Sequence, residues 1–347
     1  GTSGLWRYDW VNRNYIREEE DFPQTQCFDR GCEFLEKNHD QDNWLLHLET
    51  FDPHEPFYVP QKYLDMYPEE YDGKHFDWPR GAVEEEPEEI AHCRRQYQAL
   101  VTMCDHSLGR ILDMMDKYQM WDDTMLIVGT DHGFLLAEHG YWGKNQMPYY
   151  NEVAHTPFFV WDPRYKEQGV RRQSLVQMID WMPTLLKYFN LPIPKDVQGS
   201  LMDEIIKNDT PRREYALYGV FSGHVNITDG SYAYMRAPLT EKADEVYNYT
   251  LMPNHMNKRF DPEELKGAEL VEPFSFTKGC PVLKVKSRDK YKVSRFGTRL
   301  YDLKNDPEEK NPIQDEAVET RMIQAMIRAM KENDCPKEQF ERLGLES

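Results

Sequence analysis

The chain is short of positive charge: 42 Lys and Arg stand against 61 Asp and Glu in 347 residues, a formal net charge of −19. A surface of that sign repels a phosphate backbone and an anionic bilayer, which argues against nucleic acid or membrane as partner. It does not exclude a small anionic substrate, because a metal ion and a few local cations reverse the field at one site. Long apolar runs are missing as well, and no stretch approaches the length of a membrane span. Cysteine is scarce. Six in this length make no disulfide framework and no paired Cys-x-x-Cys zinc pattern. Cys93 and Cys104 fall on the apolar stripe of a helix, and Cys27 and Cys32 are expected to be free thiols. No internal repeat, initiator Met or signal peptide is present; the chain opens Gly1-Thr2-Ser3-Gly4. It is therefore expected to start inside a longer product, soluble, with the choice between cytoplasm, periplasm and secretion left open.

What is present is organised around residues 126–144, Leu-Ile-Val-Gly-Thr-Asp-His-Gly-Phe-Leu-Leu-Ala-Glu-His-Gly-Tyr-Trp-Gly-Lys. The apolar residues 125–129 have the length and composition of a buried strand. They give way to Asp131-His132-Gly133, at the place where open α/β sheets bind ligands, just past a strand's carboxyl end. A carboxylate beside an imidazole there suits a divalent cation, and Gly133 permits a backbone path that a side chain would block. Twelve residues past His132 comes Lys144, a mobile cation able to pair with an anion near the metal. Residues 44–49 read as a second apolar strand, followed by Phe51-Asp52-Pro53-His54-Glu55-Pro56. His54 thus also sits just past a strand, in a Pro-restricted loop, so the two loops are expected to share one crevice. The plainer reading of His54 is a residue that pins its own loop.

Between these strands, Pro87 among acids starts a helix. Ile90, Cys93, Tyr97, Leu100 and Cys104 begin an apolar stripe that continues to Met115. Strand, helix and strand make a βαβ unit. Further expectations are helices over 25–38 and 175–189, a strand at 158–161, and a long surface loop over 60–86. After residue 210 the pattern changes to strands at 232–236, 246–252 and 292–303 without comparable crossovers, which reads as a small antiparallel sheet. Val318, Met322, Met326 and Met330 form a closing amphipathic helix whose Met stripe is core rather than a cofactor box.

Asp131-His132-Gly133, Glu138-His139-Gly140, Trp142-Gly143-Lys144 and Glu152 with Thr156-Pro157 together resemble the sulfatases of the alkaline phosphatase superfamily. Residues 52–56 resemble that family's Asp-Pro-His-x-Pro. Residues 176–199, with Asp180, and Leu300-Tyr301-Asp302-Leu303 followed by Asn305-Asp306-Pro307-Glu308 are similar to its later helix and C-terminal hairpin. The resemblance implies an α/β fold, a mostly parallel central sheet flanked by helices, with a small C-terminal antiparallel α+β subdomain. Residues 1–210 and 211–347 are the expected domains. It implies a hydrolase of sulfate esters with a sulfated small molecule or glycan as substrate. Asp131 and His132 would ligate the metal, Lys144 would hold the anion, and His54 would contact the sulfate or leaving-group oxygen. The family's metal is usually Ca²⁺, while His132 also admits Mn²⁺ or Zn²⁺. Glu138, Glu152 and His139 are expected to be structural, and His255 to lie in core or surface.

Departures are visible. Phe134 stands where the family has an acid, and His155 where Arg is common. The Cys/Ser-x-Pro-x-Arg motif, matured to a formylglycine nucleophile, is not found; Ser3-Gly4-Leu5-Trp6-Arg7 lacks the Pro. The family's upstream Asp-Asp pair and Lys-x-His are also unseen. The expectation is a truncated sulfatase with its formylglycine upstream, inactive as this chain. A phosphodiester or phosphonate monoester hydrolase, and a non-catalytic module, are the alternatives.

Overall fold

The computed structural model describes residues 4–243, 245–252, 254–255, 258–287 and 294–346. The helix Pro87–Lys117 is started by a reciprocal cap: the N–H of Glu86 donates to Glu89 Oε2 at 3.0 Å, and Pro87 occupies the first helical position. Its apolar stripe buries Cys93, Ala99, Leu100 and Met103 completely. Lower down, Ile111 and Met115 join Leu35 of the helix Pro23–Asn38 and Met120 in one cluster, which Trp44, Leu46 and Leu48 complete. All six cysteines are free thiols.

Residues 44–49 correct an expectation. Their side chains alternate as in a strand, with 44, 46 and 48 turned inward and 45, 47 and 49 exposed, yet no ladder forms along them. A period of two orients side chains, but a strand also needs a neighbour for its N–H and C=O groups. The long connection over 60–86 also holds a helical turn, Gln61–Leu64, and the short strand Gly81–Ala82, which pairs antiparallel with Tyr141–Gly143.

These helices belong to one of two compact units, formed by Gly1–Leu126, Leu136–Gly143 and Trp161–Lys166. The other comprises Ile127–Leu135, Lys144–Val160 and Glu167–Ser347. Its centre is an antiparallel four-stranded sheet in the order Arg299–Asp302, Tyr232–Arg236, Val225–Thr228, Ala216–Gly219. One face carries Ile227, Tyr234 and Leu300 into a core with Met322, Met326 and Met330 of the helix Glu316–Glu332. The Met stripe is core, as its spacing indicates. The opposite face carries Arg299, Met235, Asn226 and Tyr218, in register across the sheet. A second antiparallel sheet runs Glu269–Val271, Val282–Lys286, Tyr247–Thr250. The strand expected at 292–303 is observed as Arg299–Asp302, and its first two residues lie outside the described ones.

The helix expected over 175–189 is shorter, Trp181–Tyr188, after a 3₁₀ turn Met178–Asp180. Asp180 explains the late start. Its buried carboxylate accepts from the N–H of Gln177 at 2.8 Å and of Ser200 at 2.7 Å and pairs with Arg213. Bonding Gln177 this way holds that residue extended. Leu126–Gly129 and Phe158–Trp161 pair as a two-stranded sheet. Among the described residues no helix is long and apolar enough to cross a membrane.

Candidate metal and anion site

The strand Leu126–Gly129 ends against an aromatic wall: a Cβ at Gly129 would lie 2.9 Å from the Trp181 ring. The chain then turns out to solvent at Asp131, whose side chain is 78% exposed. Asp131 Oδ1 accepts from the N–H of His132 at 2.9 Å, and its Oδ2 lies 3.4 Å from His132 Nε2. His132 Nδ1 is 2.9 Å from the Gly133 carbonyl. A carbonyl only accepts, so Nδ1 carries a hydrogen, and in the neutral ring Nε2 then holds the lone pair beside the carboxylate. That tautomer is the one that ligation through Nε2 needs.

The glycine after them is forced. A Cβ at Gly133 would lie 1.8 Å from the Glu152 carbonyl oxygen, and the N–H of Gly133 donates to Val153 O at 2.9 Å. The expectation that Gly133 permits a path closed to side chains is met by the backbone of Glu152, 19 residues along the chain.

The resemblance implies a divalent cation here, and the donor chemistry of the pair fits one. One carboxylate and one imidazole, side by side with a free lone pair on each, suit two positions of a divalent ion. No group of three or more His, Cys, Asp or Glu side chains able to hold a metal occurs among the described residues.

Lys144, in the same unit, is half-buried and its ammonium lies 5.8 Å from the ring centroid of Phe134. The residue standing where an acid is usual thus offers the lysine an aromatic face. His54 belongs to the other unit. Its ring stacks on the exposed Phe51 at 4.3 Å between centroids, and Nδ1 lies 2.6 Å from the Glu55 carbonyl. Beside it, burial pushes the Asp52 carboxyl up to about 6. Glu138 accepts from the N–H of Leu136 and pairs with Arg94 at 3.1 Å. His139 adopts a left-handed φ of 55° in its turn. His255 bonds Glu264 at 2.9 Å.

One residue had no signal in the sequence beyond its place in the C-terminal hairpin. Glu309 is 1% exposed, and its Oε2 accepts from the N–H of Asn151 at 2.6 Å. Burial raises its carboxyl to about 8, with Glu152 and Asp306 adding to the rise and the Asn151 bond opposing it.

The family model described as Sulfatase matches residues 5–191. A second, for the C-terminal part of N-sulphoglucosamine sulphohydrolase, matches residues 137–271. An arylsulfatase of Clostridium perfringens is 27% identical over 250 residues, 65% of this chain and 51% of that protein. An N-acetylglucosamine-6-O-sulfatase of Bacteroides thetaiotaomicron is 30% identical over 115 residues, 33% of this chain and 20% of its own. The chain spans about half the length, or less, of these curated relatives. In structure it is similar to a protein solved with its substrate D-glucosamine-2-N,6-O-disulfate, at TM-score 0.64 and 16% identity, over 91% of this chain and 71% of that one. It is also similar to the phosphonate monoester hydrolase of Agrobacterium radiobacter, at TM-score 0.61 and 17% identity, over 91% and 61%. At those identities the likeness speaks for the fold alone.

Proposed function

The chain belongs to the sulfatase family, and from that premise we propose that it carries part of the machinery of a metal-dependent sulfate-ester hydrolase acting on a sulfated small molecule or glycan. The observation that carries the reading is the Asp131–His132 pair, 3.4 Å apart with Nε2 as the lone-pair nitrogen. In this reading the two side chains hold Ca²⁺, with Mn²⁺ or Zn²⁺ as alternatives. A divalent ion, when bound, offsets negative charge on sulfate oxygens. Lys144 holds the anion electrostatically, and His54 contacts the sulfate or donates to the leaving oxygen. A mostly parallel central sheet, larger than the two-stranded pair described above, belongs to the same proposal.

We also propose that these 347 residues do not turn over sulfate esters by themselves, because they contain no Cys/Ser-x-Pro-x-Arg nucleophile motif. A second reading is phosphonate monoester hydrolysis, which the shared fold accommodates equally and does not select over sulfate-ester hydrolysis. Two measurements test the proposal. Mn²⁺ added to the chain should broaden the His132 imidazole resonances, and Asp131→Ala should weaken that effect about tenfold or more. Assays with an aryl sulfate and an aryl phosphonate ester should both stay at background. Metal-dependent sulfate release abolished by Asp131→Ala would overturn the inactivity, and an unperturbed His132 would overturn the ligand pair.

A further inference from the structure

The loop of Asp131 and His132 is held from behind by a series of contacts that ends at a buried acid. The N–H of Gly133 bonds Val153 O, and the Glu152 carbonyl occupies the place of a side chain at 133. Both carbonyls belong to the single helical turn Asn151–Ala154. That turn is anchored at Asn151, whose N–H donates to Glu309 Oε2 at 2.6 Å and whose Nδ2 donates to Pro307 O at 2.9 Å. The residues just before it are tied to the polar face of the four-stranded sheet. Asn226 Nδ2 donates to Tyr149 O at 3.4 Å, and Arg299 Nη1 donates to the Tyr150 hydroxyl at 3.0 Å. Tyr150, Asn226 and Glu309 are buried, which keeps water from the bonds they make, whereas the Asn151–Pro307 bond is exposed.

We propose that Glu309 is a positioning residue for the Asp131–His132 pair: by holding Asn151 it sets the Asn151–Ala154 turn, and through Val153 and Gly133 it fixes the orientation in which His132 presents Nε2 beside Asp131. Its significance for catalysis rests on the reading of that pair as metal ligands; the mechanical link does not. Glu309 is suited to sense pH as well as to hold. Its carboxyl is pushed up to about 8 by burial, so the neutral acid is the resident form at pH 7. Glu152 and Asp306 face it as carboxylates. Tyr150, Tyr218 and Tyr301 face it as hydroxyls. Arg299 is engaged with the Tyr150 and Tyr301 hydroxyls, and Lys310 pairs with Glu308. Ionisation above about pH 8 therefore buries an anion beside two others, a repulsion that the Asn151–Ala154 turn can relieve by moving.

The test follows the His132 ring in the whole chain, labelled with ¹⁵N-histidine, from pH 6.5 to 9.5. The wild-type resonances should show an inflection near pH 8. Glu309→Gln keeps an oxygen to accept from Asn151 and loses the proton, so it should keep the neutral-pH shifts and lack the inflection. Glu309→Ala should displace the His132 shifts at every pH. The proposal is overturned if the wild type shows no inflection, if Gln retains it, or if a folded Ala variant leaves His132 unmoved. Should the Ala variant fail to fold, the wild-type and Gln profiles decide alone. Mn²⁺ broadening at pH 7 separates the two ideas: its absence removes the ligand reading, whereas the pH coupling stands or falls on the inflection.

Discussion

Gly133→Ala is the perturbation that most directly tests how the site is built. The new methyl would lie 1.8 Å from Glu152 O, 2.9 Å from Glu152 C and 3.3 Å from Val153 Cα, all of them backbone atoms. An ordinary carbon–oxygen contact is about 3.3 Å, so the two segments have to part by about 1.5 Å. No side-chain rotamer relieves this. Parting them stretches the Gly133–Val153 hydrogen bond beyond use, at about 1 kcal/mol. Crowding in a packed region adds about 1–3 kcal/mol. Reduced freedom of the unfolded chain returns less than about 1 kcal/mol. The net expectation is a loss of roughly 3 kcal/mol, read as a lower urea midpoint by circular dichroism. The control is Gly109→Ala inside the helix Pro87–Lys117, where a Cβ meets nothing within 4 Å. It should be neutral or stabilise by about 0.5–1 kcal/mol. A Gly133→Ala protein within about 0.5 kcal/mol of wild type would refute the close approach and the positioning argument built on it.

Two further outcomes follow from buried charge. Asp52 has its carboxyl raised from 3.8 to about 6 by burial, so its contribution to stability is complete below the ordinary value and is lost as pH rises through about 6. The difference in urea midpoint between wild type and Asp52→Asn should therefore shift against wild type between pH 4 and 7, by at most ~3 kcal/mol; a constant difference across that range would show Asp52 to be solvated. Arg213→Met removes the cation paired with Asp180, which is 1% exposed and keeps only its two backbone donors. It should cost about 3–5 kcal/mol, and adding Asp180→Asn should recover part of that loss. Equal midpoints for Arg213→Met and wild type would mean that the pair is solvated.

Much of this molecule is legible in its residues because it is set by neighbours a few positions away. Pro87 between Glu86 and Glu89 writes a helix start, since the groups that satisfy the first N–H donors lie within one turn. The apolar stripe from Cys93 to Met115 and the Met stripe of Glu316–Glu332 name their buried faces by period alone. The Nδ1 hydrogen of His132 is also a local matter, because the very next carbonyl accepts it. The family, too, is written in short local motifs, and they match a sulfatase model over residues 5–191.

Tertiary structure decided what depends on partners distant in sequence. Residues 44–49 have the alternation of a strand and lack its ladder, because pairing needs a second segment that alternation does not specify. The start of the helix Trp181–Tyr188 was moved by Asp180, whose partners include Ser200 and Arg213. Phe134 reads as an oddity until Lys144 is seen over its ring. The protonation of Glu309 is the clearest case. A Glu in a Pro-containing hairpin reads as solvated, and only burial beside Asn151, Glu152 and Asp306 makes it a neutral acid. Local sequence determines which groups are available. The dielectric and the neighbours that set their charge and orientation come from chain segments brought together by folding, and no short window of residues contains them.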